Sequence, residues 1–310
     1  MIRLFVSVAL VALVAAPLAA QSRDRVLDAA ALAADFVAVP DIVYMRASGY
    51  ESKLDVHRPR NMTTPRPTVI FIHGGGWVNG SKEASMLAVL PYLAMGFAAV
   101  NVEYRMAANA PAPASIEDCR CALKWVIANA KEYGFDTSKI VVTGQSAGGH
   151  LALTTGMLTQ AAGFDDRCPT AAGSGVAEDN PKVAAIVNWY GITDVWDVVQ
   201  GANTRGYGVR WFAGIENKAE VARRASPMTY VRPGLPPTIT IHGDADPTVP
   251  YAQAVALKGA LTKAGVANDL VTIPGGGHGN FMAPQRDRAW TAIRAFLDKL
   301  SIPPPVMTMQ

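Results

Sequence analysis

The chain has 310 residues, half of them apolar and 17% charged, with a formal net charge of +3. That is enough apolar chain to bury the core of one large α/β domain, and it excludes a disordered protein. No run of Lys or Arg exceeds a pair, so there is no electrostatic case for nucleic acid, and the expected partner is a small molecule.

The first twenty residues open with Met1-Ile2-Arg3, continue through the apolar run Leu4 to Ala16, and end in Pro17-Leu18-Ala19-Ala20. A short charged start, an apolar stretch and a small-residue end form the pattern of a secretory signal peptide. The run is shorter than the roughly 20 apolar residues that span a bilayer, so no stable membrane span is expected after cleavage. Residues 21–310 are then one domain in a secreted or periplasmic protein.

Asp24 to Phe36 reads as a short amphipathic helix, and two extended pieces, Asp41 to Met45 and Lys53 to His57, as an edge hairpin. From Thr68 onward short apolar, β-branched runs alternate with helical patterns. The runs are Thr68 to His73, Phe97 to Glu103, Lys139 to Thr143, Val183 to Trp189, Pro237 to Ile241 and Asn268 to Ile273. Their lack of strict alternation fits strands covered on both faces. Helices are expected near Ser81 to Met95, Ser115 to Tyr133, Gly148 to Met157, Ala252 to Ala264 and Asp287 to Leu300, with Gly96, Gly134 and Gly265 as C-caps. This order predicts a doubly wound, mostly parallel sheet. The interval 191–236, between two core strands, reads as a small cap over a pocket. It carries Trp196, Tyr207, Trp211 and Phe212, which either wall that pocket or pack the cap to the body.

Cys119, Cys121 and Cys168 are an odd set for an exported chain. Cys119 and Cys121 flank one residue of an expected helix and point about 200° apart, so a bond between them is disfavoured and Cys168 is the partner open to either. The alternative is three buried thiols. No spacing suits a metal, and no cofactor is expected.

Chemistry concentrates in four segments. Gly144-Gln145-Ser146-Ala147-Gly148 lies between an expected strand and an expected helix, the context in which such a turn raises a serine to an exposed, strained tip. His73-Gly74-Gly75-Gly76-Trp77 follows an earlier strand, and the amides of Gly74, Gly75 and Ala147 can face a developing oxyanion. A serine nucleophile needs a histidine base and an orienting carboxylate. Of the five histidines, His57 sits in an edge strand, His73 braces the glycine loop, His150 packs one turn beyond Ser146, and His242 ends a strand. That leaves His278 in Gly275-Gly276-Gly277-His278-Gly279. For the carboxylate, Asp244 and Asp246 both qualify by type and place.

Together, HGGGW at 73–77, GQSAGGH at 144–150, HGDADPTVP at 242–250 and GGGHG at 275–279 resemble the α/β-hydrolases grouped with hormone-sensitive-lipase-like and acetyl-xylan/feruloyl-type esterases. The resemblance covers residues 40–300 and implies the α/β-hydrolase fold. It makes Asp246, the fifth residue of its motif, the third member of a triad with Ser146 and His278. Gln145 stands where lipase-like members usually carry Asp, which moves the resemblance toward small secreted carbohydrate-ester esterases. The implied activity is a carboxylesterase for short acyl or feruloyl esters of small alcohols or oligosaccharides, with Trp77, Trp196 and Trp211 as candidate pocket walls. Two alternatives carry different chemistry: a kynurenine-formamidase-like amide hydrolase, and a catalytically inactive binding protein on the same fold.

Overall fold

The computed structural model describes residues 34–169 and 181–303. The signal-peptide reading and most of the helix expected from Asp24 lie outside these residues. Phe36 itself is not helical; it begins the first strand, where its side chain is buried.

The chain order is β1 (Phe36–Ala47), β2 (Tyr50–Pro59), β3 (Arg66–Ile72), α1 (Met86–Ala94), β4 (Ala98–Val102), α2 (Ala114–Ala128), α3 (Ala130–Tyr133), β5 (Phe135–Gln145), α4 (Ala147–Met157) and β6 (Ala185–Trp189). It continues with α5 (Val195–Val199), α6 (Gly206–Trp211), α7 (Lys218–Ala225), β7 (Thr238–Gly243), α8 (Tyr251–Lys263), β8 (Asn268–Ile273) and α9 (Ala283–Lys299). All eight strands share one sheet in the order β1-β2-β4-β3-β5-β6-β7-β8. The β1–β2 hairpin pairs antiparallel at one edge, and β3 to β8 run parallel. This is the doubly wound α/β-hydrolase sheet.

Two-residue periodicity sorts the core into two layers. Val69 and Phe71 of β3 face the layer built by Tyr92 and Leu93 of α1 and Ile293 and Phe296 of α9. Ile70 and Ile72, one residue on, face Ile116, Leu123, Leu151 and Leu257 of α2, α4 and α8. The central strands β4, β6 and β7 are buried at every position, which is why they lack alternation in sequence.

Boundaries moved where packing outweighed local pattern. Strand β5 starts at Phe135 rather than Lys139, because Phe135 is buried and pairs with Arg66. The long helix expected to end at Tyr133 is divided at Asn129, whose side-chain amide donates to the Trp125 carbonyl at 2.8 Å. Gly96, Gly134 and Gly265 follow helix ends with φ of 86°, 71° and 70°, as the C-cap reading requires.

Cys121 is bonded to Cys168, and Cys119 is a buried free thiol. Beside the bond, Arg120 grips Asp165 through Nε at 2.7 Å and a terminal nitrogen at 2.6 Å, and also donates to the Thr155 and Leu158 carbonyls. Disulfide and buried ion pair together tie α2 to the segment after α4. Unreduced, denatured protein should therefore show one alkylatable thiol, and three after reduction. Three before reduction would contradict the pairing.

Candidate active site

The site forms at the carboxyl edge of the parallel strands, where β3, β5, β7 and β8 each end in one of the four motif segments. Register brings these ends level, with Ile72 opposite Gly144 and Gly243 opposite Ile273.

Ser146 occupies the turn from β5 to α4 with φ 57° and ψ −120°, a conformation that non-glycine residues rarely adopt. Its amide is held by the Trp189 carbonyl at 2.9 Å. The turn is possible only because its flanks lack side chains. A Cβ at Gly148 would lie 2.0 Å from the Ile72 carbonyl oxygen, and one at Gly144 would lie 2.3 Å from that of Gly148.

Ser146 Oγ is 2.8 Å from His278 Nε2, and His278 Nδ1 is 2.7 Å from Asp246 Oδ2. With Nδ1 donating to the carboxylate, Nε2 is the nitrogen that faces the serine hydroxyl. Asp246 Oδ1 accepts from the amides of Thr248 at 2.7 Å and Val249 at 3.0 Å. Its Oδ2 also meets His242 Nε2 at 3.2 Å. Burial raises the pKa of this carboxyl, but the hydrogen bonds from His242, His278 and Val249 outweigh it and hold the group well below the usual carboxylate range. Asp244 plays a different part. It accepts from the Gly275 amide at 2.7 Å and so fastens the loop that carries His278.

The glycine loop forms the facing side of the cavity. Gly74 and Gly75 border the cavity with Ser146, and Ala147 is the first residue of α4, whose amide has no acceptor within its helix. Gly75 has φ 113°, and a Cβ there would sit 1.8 Å from the Asn79 carbonyl oxygen. His73 braces the loop from behind. Its Nδ1 is 2.7 Å from the Gly74 carbonyl, its Nε2 is 3.1 Å from Glu103, and its ring stacks on Tyr104.

The tryptophans require a correction. Trp77 and Trp211 are fully buried and stacked on each other with centroids 4.0 Å apart; Trp196 is 36% exposed; none of the three borders the cavity. Trp77 and Trp211 are too large and apolar to leave in water when each offers the other a flat face. Phe212 is buried as well. The residues that do border the cavity, of about 420 Å³, are Gly74, Gly75, Gly76, Val78 and Asn79 from the glycine loop, Gln145 and Ser146 from the elbow, and Tyr190, Tyr207, Arg210, Thr248 and His278. Tyr190 and Arg210 do not stand out in the sequence. Tyr190 packs edge-on against His278 with centroids 4.8 Å apart, and its hydroxyl occupies the space a side chain at position 279 would need. The signal for Tyr190 is its place directly after β6, at the same sheet edge as Ser146.

His150 joins three parts of the site. Its Nδ1 accepts from Trp77 Nε1 at 3.1 Å, and its Nε2 donates to the Ala225 carbonyl at 2.8 Å. Glycine loop, elbow helix α4 and cap helix α7 thereby meet on one imidazole. The cap is latched a second time by Tyr207, whose hydroxyl donates to the Thr248 carbonyl at 3.2 Å.

A serine, histidine and aspartate in hydrogen-bonded series, on a strained turn of a doubly wound sheet, define a site of the serine-hydrolase type on an α/β-hydrolase. The BD-FAE family model matches residues 54–261, and the chain belongs to that family. The chain is 34% identical over 237 residues to the esterase LipC of Mycobacterium tuberculosis, a match covering 73% of this chain and 56% of LipC. It is 29% identical to the esterase LipQ of the same organism, covering 71% and 52%. The chain thus spans about half the length of these curated relatives. Among solved structures, the propionate-bound esterase 2 of Thermogutta terrifontis superposes with a TM-score of 0.70 at 26% identity, covering 86% of this chain and 95% of that one.

Burial pushes the pKa of His150 from 6.5 down to about 4, so His150 is neutral in the fold. A folded value below the unfolded one contributes stability that is present above 6.5 and lost as the pH falls toward 4. The lost contribution is on the order of 3 kcal/mol. His150→Gln should lower Tm at neutral pH and flatten the dependence of Tm on pH across this window. A variant with the slope of the parent would contradict the role of His150.

Proposed function

We propose that this protein is a carboxylesterase in which Ser146 attacks the ester carbonyl, His278 takes the serine proton and passes it to the leaving alcohol, and Asp246 orients His278 and stabilises its charged form. The observation that carries the reading is the unbroken series Ser146 Oγ, His278, Asp246 at 2.8 and 2.7 Å, open to the cavity at its serine end. Amides of Gly74, Gly75 and Ala147 meet the oxyanion of the tetrahedral intermediate. A second attack, by water activated by the same histidine, releases the acid. No metal or organic cofactor has a step in this sequence of events.

The preferred acyl group is small, acetyl or a close relative, on a polar alcohol such as a saccharide. The cavity, of about 420 Å³, carries Asn79, Gln145, Thr248 and Arg210 on its wall beside Val78, Tyr190 and Tyr207. The Thermogutta esterase has been solved with propionate and with butyrate, both short acids, and this chain shares its fold. The buried tryptophans no longer argue for a sugar; the four polar side chains on the wall are what support it. We also propose export to the periplasm or the exterior, on the pattern of residues 1–20 and on a disulfide of the kind that persists in oxidising compartments. Cell fractionation checks the location: protein confined to the cytosol would contradict it.

Ser146→Ala and His278→Ala should each lower kcat by roughly four to six orders of magnitude, because triad members act as a unit. Asp246→Asn should cost far more than Asp244→Asn, whose loss loosens a loop without changing the histidine tautomer. A Ser146→Ala enzyme of ordinary activity would overturn the mechanism, and equal losses at the two aspartates would overturn the choice between them. For acyl size, kcat/KM should favour acetyl over octanoyl esters of one leaving group. The reverse preference would overturn the small-acyl reading alone.

A further inference from the structure

The cavity in front of Ser146 is bordered by one arginine that has no acidic partner among the described residues. Arg210 lies in the last turn of α6 and borders the cavity beside Tyr207. Among the described residues no Asp or Glu borders the cavity. Asp246 lies behind His278, buried and occupied by its own hydrogen bonds. Asp197 of the cap is taken by Asn203 and Gln253.

The neighbouring arginines show the contrast. Arg205 donates to the carbonyls of Thr204 and Pro247, Arg223 pairs with Glu220, Arg224 donates to Ala162, and Arg232 donates to Met157. Among the described residues Arg210 has no such partner. The negative end of a helix favours a cation in its last turn. That accounts for the residue type but not for its place on the border of the cavity that holds the nucleophile. A planar guanidinium presents paired donors that suit a carboxylate, and because Arg210 is exposed the pairing is of the screened, surface kind.

We propose that Arg210 is a specificity-determining residue that selects esters bearing an anionic group, a carboxylate or its equivalent, on either the acyl or the alcohol part. The inference rests on the ester-hydrolase reading above. The anion pairs with the guanidinium while the ester carbonyl lies at Ser146, so binding energy is used where a neutral ester gains none.

The test compares isosteric charged and neutral esters, each rate divided by its rate of hydroxide hydrolysis. Methyl hydrogen succinate against methyl succinamate places the charge on the acyl side. Para-acetoxybenzoate against para-acetoxybenzamide places it on the alcohol side. In at least one pair the charged ester should have a kcat/KM roughly twofold to fivefold higher, the size of an exposed ion pair. That ratio should fall to about one in Arg210→Gln, recover in part in Arg210→Lys, and shrink as added salt shortens the Debye length from about 10 Å at 0.1 M to about 3 Å at 1 M. A merely structural role for Arg210 would change both members of a pair alike and leave the ratio where it was. Ratios near one in the parent enzyme, or a ratio unmoved by Arg210→Gln, would overturn the inference while leaving the esterase standing. Failure of the parent to hydrolyse any of the four esters, with Ser146 unreactive toward an organophosphate, would overturn the esterase reading and this inference with it.

Discussion

The backbone of Ser146 is the constraint on which the other parts of the site depend. Holding a residue with a side chain at φ 57° and ψ −120° costs on the order of 1–3 kcal/mol, and the fold keeps it there by closing around it. Strand β5 is paired on both sides, helix α4 lies against β3 with no room for a Cβ at Gly148, and the Trp189 carbonyl holds the serine amide. The same turn that lifts Oγ toward His278 starts α4 at Ala147, whose amide has no acceptor within the helix. One strained residue therefore sets both the nucleophile and the start of the helix behind it.

Around this point the site is assembled from carbonyl and carboxylate contacts that fix loops rather than from loops that happen to meet. Asp246 is oriented by two backbone amides and a second histidine, Asp244 fastens the loop of His278, and His73 fastens the glycine loop. The cap is joined to this frame through the buried stack of Trp77 on Trp211 and through His150, which touches the glycine loop and α7 at once. Cap and glycine loop are thereby packed together. Tyr207 and Arg210, both on α6, sit where the cap meets the cavity and give the wall its chemical character.

The sheet was legible because its central strands are buried on both faces and their apolar runs stand apart from the helices between them. The positions of Ser146 and His278 were legible for a local reason: each lies in a glycine-flanked turn directly after a strand. Asp246 was separable from Asp244 only by resemblance to a family, since both aspartates lie in one turn and differ only in what they touch. The pocket wall was not legible. Trp77 and Trp211 look the same in sequence whether they face a ligand or each other, and only the distance between β3 and the cap decides it. Arg210 gave no signal because an arginine ending a short surface helix is common, and its lack of a partner among the described residues is a fact of three-dimensional arrangement. The break at Asn129 and the early start of β5 likewise follow from side-chain contacts that no local pattern encodes.

The account stands on Ser146 as an activated nucleophile, and covalent trapping tests this most directly. The folded protein would be treated with paraoxon and the modified peptide located by mass spectrometry. The Thermogutta esterase with this fold has been solved phosphorylated by that compound. The account predicts one phosphoryl group per chain, carried by Ser146, with the rate of labelling falling steeply in His278→Ala. A label carried elsewhere, or a folded protein in which Ser146 stays unmodified, would contradict it.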